Sequence, residues 1–488
     1  MTKWIVALSV LAVYANAGIF LASWGLRWSV LLVNWKKRRK RSAIPHDDAD
    51  GVQSDEMTRQ GSDIYFSVHL PTHNEPSDIV IKTINSILAS DYSHFELLVI
   101  DNNTSDNDLW MPVRDFCLDK GPRLRFYHCM NVKNAKAGAL NIARGLCDRQ
   151  ATHVVIVDAD YTVHTDFLSR AVSQLSQARY DYLQFPQSYR GKGAGGLKNE
   201  LGLYFSTVSK AADAANTMLL TGTLSVISVE ALNCLGGWNT TTLTEDAEIG
   251  LQLHMRGFRG RYIGQPAGAG LLPFTFADLE KQRERWIHGN FQVLTRYFMQ
   301  IMTVKKTYML AILCQLSAWF AYLLVPMIFL LLVPFQMGSR PLPEFARWGA
   351  TVAAATIILD FLARFIFIWL SGIGPTLVAV VNAFIASWSL AGASSLATFT
   401  GYLPVAKTFH RTNKSICESS IATSDSKKTL VVALLGLIVM AKALYAGMLW
   451  IAIAGLLAVL MLPFQWVLSH HLRQYCSHFR FGQKDERR

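Results

Sequence analysis

Two apolar blocks flanking a long ordinary stretch restrict this chain more than any other feature. Residues 5–33 form one apolar run, residues 34–305 have the mixed composition of a globular domain, and residues 306–470 return to long apolar runs. A helix needs roughly 20 apolar residues to span a bilayer, and these runs are long enough. At 488 residues the chain is large enough for more than one domain. The expected architecture is therefore a water-facing domain inserted in a bundle of membrane helices.

The formal charge of +12 first suggests nucleic acid. The basic residues instead gather at membrane borders: Lys36, Lys37, Arg38, Arg39, Lys40 and Arg41 follow the first apolar run directly. Such a cluster stays cytoplasmic, and with no recognition motif nucleic acid is not an expected partner. Seven cysteines show neither a C-x-x-C pair nor metal spacing, which fits reduced thiols.

Residues 1–35 read as one transmembrane helix with its amino terminus outside. The run is too long for a signal-peptide core, and its positive charge lies after it. Residues 36–63 read as a basic, polar linker. From Phe66 short apolar runs alternate with helical stretches. Phe66–Leu70, Phe95–Ile100, Leu124–Tyr127, His153–Val157 and Tyr182–Phe185 read as strands, with Ile79–Ala89 and Ala135–Gly145 among the crossover helices. This alternation predicts a mostly parallel sheet over residues 64–275. Ligands then bind beyond the carboxyl ends of its strands.

Residues 276–306 read as an interfacial amphipathic region. Residues 307–372 read as two spans, Tyr308–Phe335 and Trp348–Leu370, the second carrying Asp360 and Arg364 at pairing distance. Residues 373–403, broken by Ser387, Ser389, Gly392, Ser394 and Ser395, read as lying along the interface. A polar loop over 404–428, two further spans over 429–470 and a basic tail over 471–488 complete five spans.

Polar clusters follow the strands. Pro71-Thr72-His73-Asn74-Glu75-Pro76 follows the first, Asp101-Asn102-Asn103 the second, and Asp158-Ala159-Asp160 the fourth. Two carboxylates one residue apart at a strand end suit Mg²⁺ or Mn²⁺, whose other ligands are phosphate oxygens. Asp246, in Thr244-Glu245-Asp246, is the candidate base for taking a proton from an attacking hydroxyl; the same residues also suit a helix cap. In Gln282-Arg283-Glu284-Arg285-Trp286 the arginines offer planar cationic forks for a diphosphate. Trp286 offers a flat face for a sugar ring.

The order and spacing of these motifs resemble the processive family 2 glycosyltransferases, the group of cellulose, chitin, hyaluronan and poly-N-acetylglucosamine synthases. The resemblance runs from about Phe66 to Lys414. It includes Lys133-Asn134-Ala135-Lys136, Gln184-Phe185-Pro186-Gln187 and Gly236-Gly237-Trp238. It implies a GT-A, Rossmann-like domain on the cytoplasmic side of the inner membrane, above a transmembrane channel. Thr72, Asn74, Glu75, Asp101, Lys136, Asp158, Gln282, Arg283 and Arg285 would bind the donor, with Asp101 at the uridine. Asp158 and Asp160 would hold the metal, Asp246 with Glu245 and Thr244 would form the catalytic group, and Trp286 would hold the acceptor glycan. Phe409-His410-Arg411-Thr412-Asn413-Lys414 resembles that family's gating-loop motif, which adds Thr412 and Lys414 to the donor set.

The activity this implies is inverting synthesis of a β-linked polysaccharide, a β-glucan from UDP-glucose, with translocation of the product. The alternatives are a poly-N-acetylglucosamine or hyaluronan type of synthase, and single transfer to a lipid such as a ceramide or polyprenyl phosphate. One span before the domain implies that a small membrane subunit or a second copy completes the channel.

Overall fold

The computed structural model describes residues 2–42, 63–191, 195–332, 343–374, 376–402 and 427–485. A seven-stranded sheet forms the centre of the water-facing domain. Its strands are β1 (Phe66–Thr72), β2 (Phe95–Asn102), β3 (Leu124–Cys129), β4 (His153–Ile156), β6 (Tyr182–Gln184), β7 (Ser225–Ser228) and β8 (Gly260–Tyr262), in the order β3-β2-β1-β4-β7-β6-β8. A separate two-stranded ribbon pairs β5 (Thr162–Val163) with β9 (Gly268–Ala269). β1 runs parallel to β2 and β4, and β2 parallel to β3. β7 runs antiparallel to both neighbours. The five strands expected from sequence are present with ends shifted by a few residues. β7, β8 and the ribbon are too short to show a periodicity of their own.

Every residue of β1 and β2 is buried, as expected of parallel strands covered on both faces. Phe66, Leu70, Phe95, Leu97 and Val99 are at most 1% exposed, and burying each such side chain contributes about 1.5–3 kcal/mol. The chain leaves β1 for β2 and β3 on one side and returns to β4 on the other, so the strand order reverses between β1 and β4. That switch point opens a crevice at the carboxyl ends.

In the membrane part the helices are numbered as they enter. α1 (Thr2–Ser42) begins the chain. Within the domain follow α2 (Ser77–Leu88), α3 (Asn107–Leu118), α4 (Ala135–Leu146), α5 (Phe167–Gln177), α6 (Gly195–Leu203), α7 (Glu245–Met255) and α8 (Phe276–Arg296). Then come α9 (Lys306–Leu316), α10 (Leu324–Leu332), α11 (Glu344–Ser371), α12 (Leu377–Ser389), α13 (Ala391–Gly401), α14 (Lys427–Tyr445), α15 (Leu449–Val459) and α16 (Met461–Asp485). Among the described residues five helical segments are long and apolar enough to cross a membrane: 4–32, 344–371, 377–401, 427–445 and 449–478.

One expectation changes. The single span over Tyr308–Phe335 is broken, because α9 ends at Leu316 and α10 starts at Leu324. Neither glycine nor a mid-helix proline marks the break, and Pro326 falls in the first turn of α10, where proline is tolerated. The freed backbone groups are satisfied from neighbouring helices. The Ser395 and Thr398 hydroxyls of α13 accept from Leu324 N and Ala321 N, at 2.6 and 3.2 Å. Arg27 of α1 donates to the carbonyls of Ser317, Ala318 and Phe320 at 3.1–3.3 Å. Broken helices persist at membrane depth only with such partners.

Residues 373–403, expected along the interface, form α12 and α13, which together are long and apolar enough to cross, but both ends meet the α/β domain side. A Cβ on Gly196 of α6 would lie 2.7 Å from the Asn382 carbonyl, and one on Gly401 would lie 3.2 Å from Phe291 of α8. His288 of α8 also contacts Ala397 O and Thr400 Oγ1, at 3.1 and 3.0 Å.

Candidate active site

A cleft lies at the β1/β4 switch point. It is lined by the ends of both strands, the start of α4, the start of α7 and one face of α8. Thr72 and Glu75 come from the β1 end, and Asp158 and Asp160 from the β4 end. Lys136 comes from α4, Thr244, Glu245 and Asp246 from α7, and Gln282, Arg285 and Trp286 from α8. Carboxylates scattered through the sequence thus meet in one space.

Lys136 is the hub. Its Nζ donates to Asp158 Oδ1 at 2.6 Å and to the Gly222 carbonyl at 2.7 Å, and lies 3.9 Å from Glu245 Oε1. Burial disfavours its charge, but Asp158, Glu245 and Asp246 together outweigh burial and raise its pKa. Asp158 remains partly open, with 35% of its side chain exposed, whereas Asp160 is 5% exposed and accepts from Leu271 N at 3.0 Å.

Asp246 stands in the first turn of α7, where the Ala247 amide favours its charged form. Burial, and next the Glu245 carboxylate, oppose this and push its pKa up to about 7, against the pull of Lys136 and Arg285. Gly222 makes the close approach possible: its φ is +91°, and a Cβ there would lie 2.8 Å from Asp246 Oδ2. Thr244 makes no capping hydrogen bond. Its side chain packs under Gly289, where a Cβ would meet Thr244 Cγ2 at 2.5 Å.

Three expected site residues lie outside the lining of this cleft. Arg283 was expected at the donor diphosphate. Its side chain is buried instead, donating to Glu200 Oε2 at 2.8 Å, with its guanidinium 3.8 Å from the Trp319 ring centre. On a helix it falls to one side of the face carrying Gln282 and Arg285. Asp101 backs the cleft without lining it. It is 3% exposed, accepts from Thr72 and Thr104 at 3.0 and 2.7 Å, and lies 2.7 Å from His128 Nδ1. Its carboxylate therefore orders the β1 and β2 ends. Asn74 does not line the cleft either; at φ +51° it turns the chain, and its amide donates to Thr104 Oγ1 at 2.9 Å. Thr412 and Lys414 fall outside the described residues.

Sequence reasoning missed Tyr161, Tyr189, Thr221 and Gly222, all of which line the cleft. Burial holds both phenols above their ordinary pKa, so they remain hydrogen-bond donors. Nothing local in the sequence marks Tyr161 or Tyr189. Gly222, between two threonines ahead of β7, carries the turn chemistry that a closer reading would have flagged.

The carboxylate pair fits a divalent ion. No third acidic, histidine or cysteine ligand joins it among the described residues. That suits Mg²⁺ or Mn²⁺, which take substrate phosphate oxygens and water beside one or two carboxylates.

A mostly parallel α/β sheet of the GT-A type, with carboxylates, a lysine and an arginine at its switch point and apolar helices attached, defines a membrane-associated member of the GT-A class. The chain belongs to glycosyl transferase family 2. Residues 153–472 match "Glycosyl transferase family group 2", and residues 67–236 match "Glycosyl transferase family 2". It is 28% identical over 237 residues to the cellulose synthase catalytic subunit [UDP-forming] of Xanthomonas axonopodis pv. citri, covering 46% of this chain and 31% of that one. It is 27% identical over 255 residues to a poly-beta-1,6-N-acetyl-D-glucosamine synthase of Staphylococcus epidermidis, covering 49% and 58%. The match thus spans less than two thirds of either relative. The solved mannosyltransferase from Pyrobaculum calidifontis in complex with GDP-Man and Mn²⁺ shares the fold, with a TM-score of 0.50 at 17% identity, covering 79% of this chain and 99% of that one.

Proposed function

We propose that this protein is an inverting glycosyltransferase of the membrane that extends a β-linked polysaccharide from a nucleoside-diphosphate sugar. The carrying observation is the meeting of Asp158, Asp160, Lys136, Arg285, Trp286 and Asp246 around one cleft. Arg285 presents a planar fork to the donor diphosphate. Asp158 and Asp160 would hold a divalent ion, and such an ion would supply positive charge against the departing nucleoside diphosphate. Lys136 ties Asp158 to the Gly222 turn and so fixes the spacing between the metal carboxylates and the base.

Asp246 takes the proton of the acceptor hydroxyl while that oxygen bonds the anomeric carbon. The bond to the diphosphate oxygen breaks on the opposite face, and the configuration inverts. A base with a pKa near 7 is well matched to neutral pH. Glu245 and Thr244 flank it, and Trp286 offers its face to the acceptor ring. Gln282 lines the donor side, and Thr412 and Lys414 are assigned to the diphosphate by their motif alone. The domain faces the cytoplasm at the inner membrane, where the basic run after the first span belongs.

UDP-glucose is the expected donor and a β-glucan the expected product. Relatives named for glucan and for N-acetylglucosamine polymers match at nearly equal identity, so the test covers both. Membranes carrying the protein are incubated with radiolabelled UDP-glucose, UDP-N-acetylglucosamine and UDP-glucuronate, and the product is sized and digested with linkage-specific hydrolases. Large labelled polymer from UDP-glucose, lost in Asp246→Asn, supports the reading. A single sugar on extractable lipid would replace it with the lipid-acceptor activity.

A further inference from the structure

The last helix starts among the membrane helices and continues into the α/β domain. Near the start of α16, Met461 packs on α13, where a Cβ on Gly392 would lie 3.2 Å from its sulfur. Further along, Leu468, Leu472, Tyr475 and Cys476 are each at most 2% exposed and share a core with Tyr189, Leu272, Phe274 and Phe276 of the domain. The basic tail expected over residues 471–488 thus begins inside a buried stripe, whose members recur with the period of one helix face.

Tyr475 enters the domain at one joint. Gly191 makes room for it: φ there is +95°, and a Cβ would lie 2.6 Å from Tyr475 Cε2. The Tyr475 ring centre lies 6.2 Å from that of Phe274, and its hydroxyl accepts from Leu272 N at 3.3 Å. The preceding amide, Leu271 N, donates to Asp160 Oδ2 at 3.0 Å. The two donors are consecutive backbone amides in rigid peptide planes, hinged only at the Leu271 Cα. Before them the chain is held by the β5–β9 ribbon and by Gly270 N, which donates to the Ser188 carbonyl at 2.9 Å. After them Thr275 caps α8, its hydroxyl accepting from Asp278 N at 3.1 Å. Tyr475 therefore grips the short connection between the Asp160 contact and the helix that carries Gln282, Arg285 and Trp286.

We propose that Tyr475 is a positioning residue for the metal site: its hydroxyl fixes the Leu271–Leu272 backbone, and that backbone aims the Asp160 carboxylate. The proposal rests on the reading of Asp158 and Asp160 as metal ligands. A carboxylate that keeps one oxygen on a fixed amide is presented at a fixed angle, and Mg²⁺ in particular tolerates little departure from octahedral geometry. Through this contact a helix rooted in the membrane bundle sets the geometry of a cation site in the domain. Direct partners of metal ligands carry about 10–100-fold of metal affinity. Tyr475 acts one step further out, so a smaller effect is expected.

The test uses the full chain in detergent and reads Mn²⁺ binding directly. The electron paramagnetic resonance signal of free Mn²⁺ is titrated against protein saturated with the nucleoside diphosphate it binds, UDP or GDP. Tyr475→Phe keeps the ring against Gly191 and Phe274 and removes only the acceptor oxygen. It should raise the Mn²⁺ dissociation constant by about three- to tenfold while affinity for the nucleotide without metal stays within about twofold. Leu468→Ala, two turns earlier in the same stripe, leaves the hydroxyl in place. It should lower the melting midpoint with Mn²⁺ affinity unchanged. Unchanged Mn²⁺ affinity in Tyr475→Phe would overturn the proposal. So would an equal loss in Leu468→Ala, which would assign the effect to docking of the helix rather than to the hydroxyl. A wild type that binds no Mn²⁺ beside either nucleotide would overturn the metal reading of Asp158 and Asp160, and the positioning role with it, before any variant is made.

Discussion

At the residue scale, Asp246 shows burial and a neighbouring carboxylate overriding a helix start that favours negative charge. With its pKa raised to about 7, the group is protonated and inactive as a base below that pH. We expect kcat/KM of the free enzyme to fall about tenfold per pH unit below about 7 and to level off above it. Asp246→Asn should cost about 10²–10⁴ in kcat while leaving UDP affinity within a few-fold. Gly222→Ala tests the same carboxylate from the other side. Its φ of +91° and a Cβ 2.8 Å from Asp246 Oδ2 predict lost turnover as the base is displaced, read as kcat against unchanged expression. The two arginines of the α8 motif separate cleanly. Arg285→Gln should weaken donor binding by about 10–100-fold, the worth of a charged hydrogen-bond pair. Arg283→Gln leaves Glu200 buried without its cation, so it should cost about 3–5 kcal/mol of stability, read as a lowered melting midpoint. Both arginines are visible in the sequence as diphosphate candidates. Only the helix's rotational setting against Trp319 and Glu200 tells them apart.

At the scale of elements, α8 joins the site to the membrane part. Gln282, Arg285 and Trp286 face the cleft, whereas Glu280, Glu284 and His288 lie on the opposite stripe. There Lys428 bonds Glu284, and Thr429 donates to Glu280 at 3.1 Å. Small residues let the last two spans close on one another. A Cβ on Gly455 of α15 would lie 2.6 Å from the Gly436 carbonyl of α14 and 2.7 Å from Met440 N, a close backbone approach of the kind that packs membrane helices. Gly455→Leu should force the pair apart and lower the yield of folded, detergent-stable protein, with Gly25→Leu, which meets open space, as the control. The sequence shows these runs as apolar helices. It does not show which glycine is a contact and which faces lipid.

At the scale of the molecule, five segments among the described residues are apolar enough to cross, but contacts reassign their roles. Val30 of α1 packs with Cys314 of α9 and Val208 of the domain. Further from the domain, a Cβ on Gly349 of α11 would lie 2.9 Å from Phe329 of α10 and 3.1 Å from Val10 of α1. The broken α9–α10 pair therefore runs antiparallel to α1 over the same depth, while α12–α13 keeps both ends against the domain. We infer that α9–α10 crosses and α12–α13 does not. Cysteines placed at Gly374 and Tyr402 should then both be shielded from a membrane-impermeant thiol reagent added outside, and one at Gly447 should be labelled. Labelling of exactly one of the first pair would mean that α12–α13 crosses.

The sequence alone determined that the chain has apolar spans around a parallel α/β domain, because hydrophobic length and the alternation of short runs are local, additive signals. It also marked most of the polar residues that line the cleft, through the order and spacing of motifs that resemble a known family. Which of those residues share a cleft was decided only by the tertiary structure. Register, helix rotation and the Gly222 turn set the direction of each side chain, and neither the break at Trp319 nor the burial that moves Asp246 exists until distant segments pack against them.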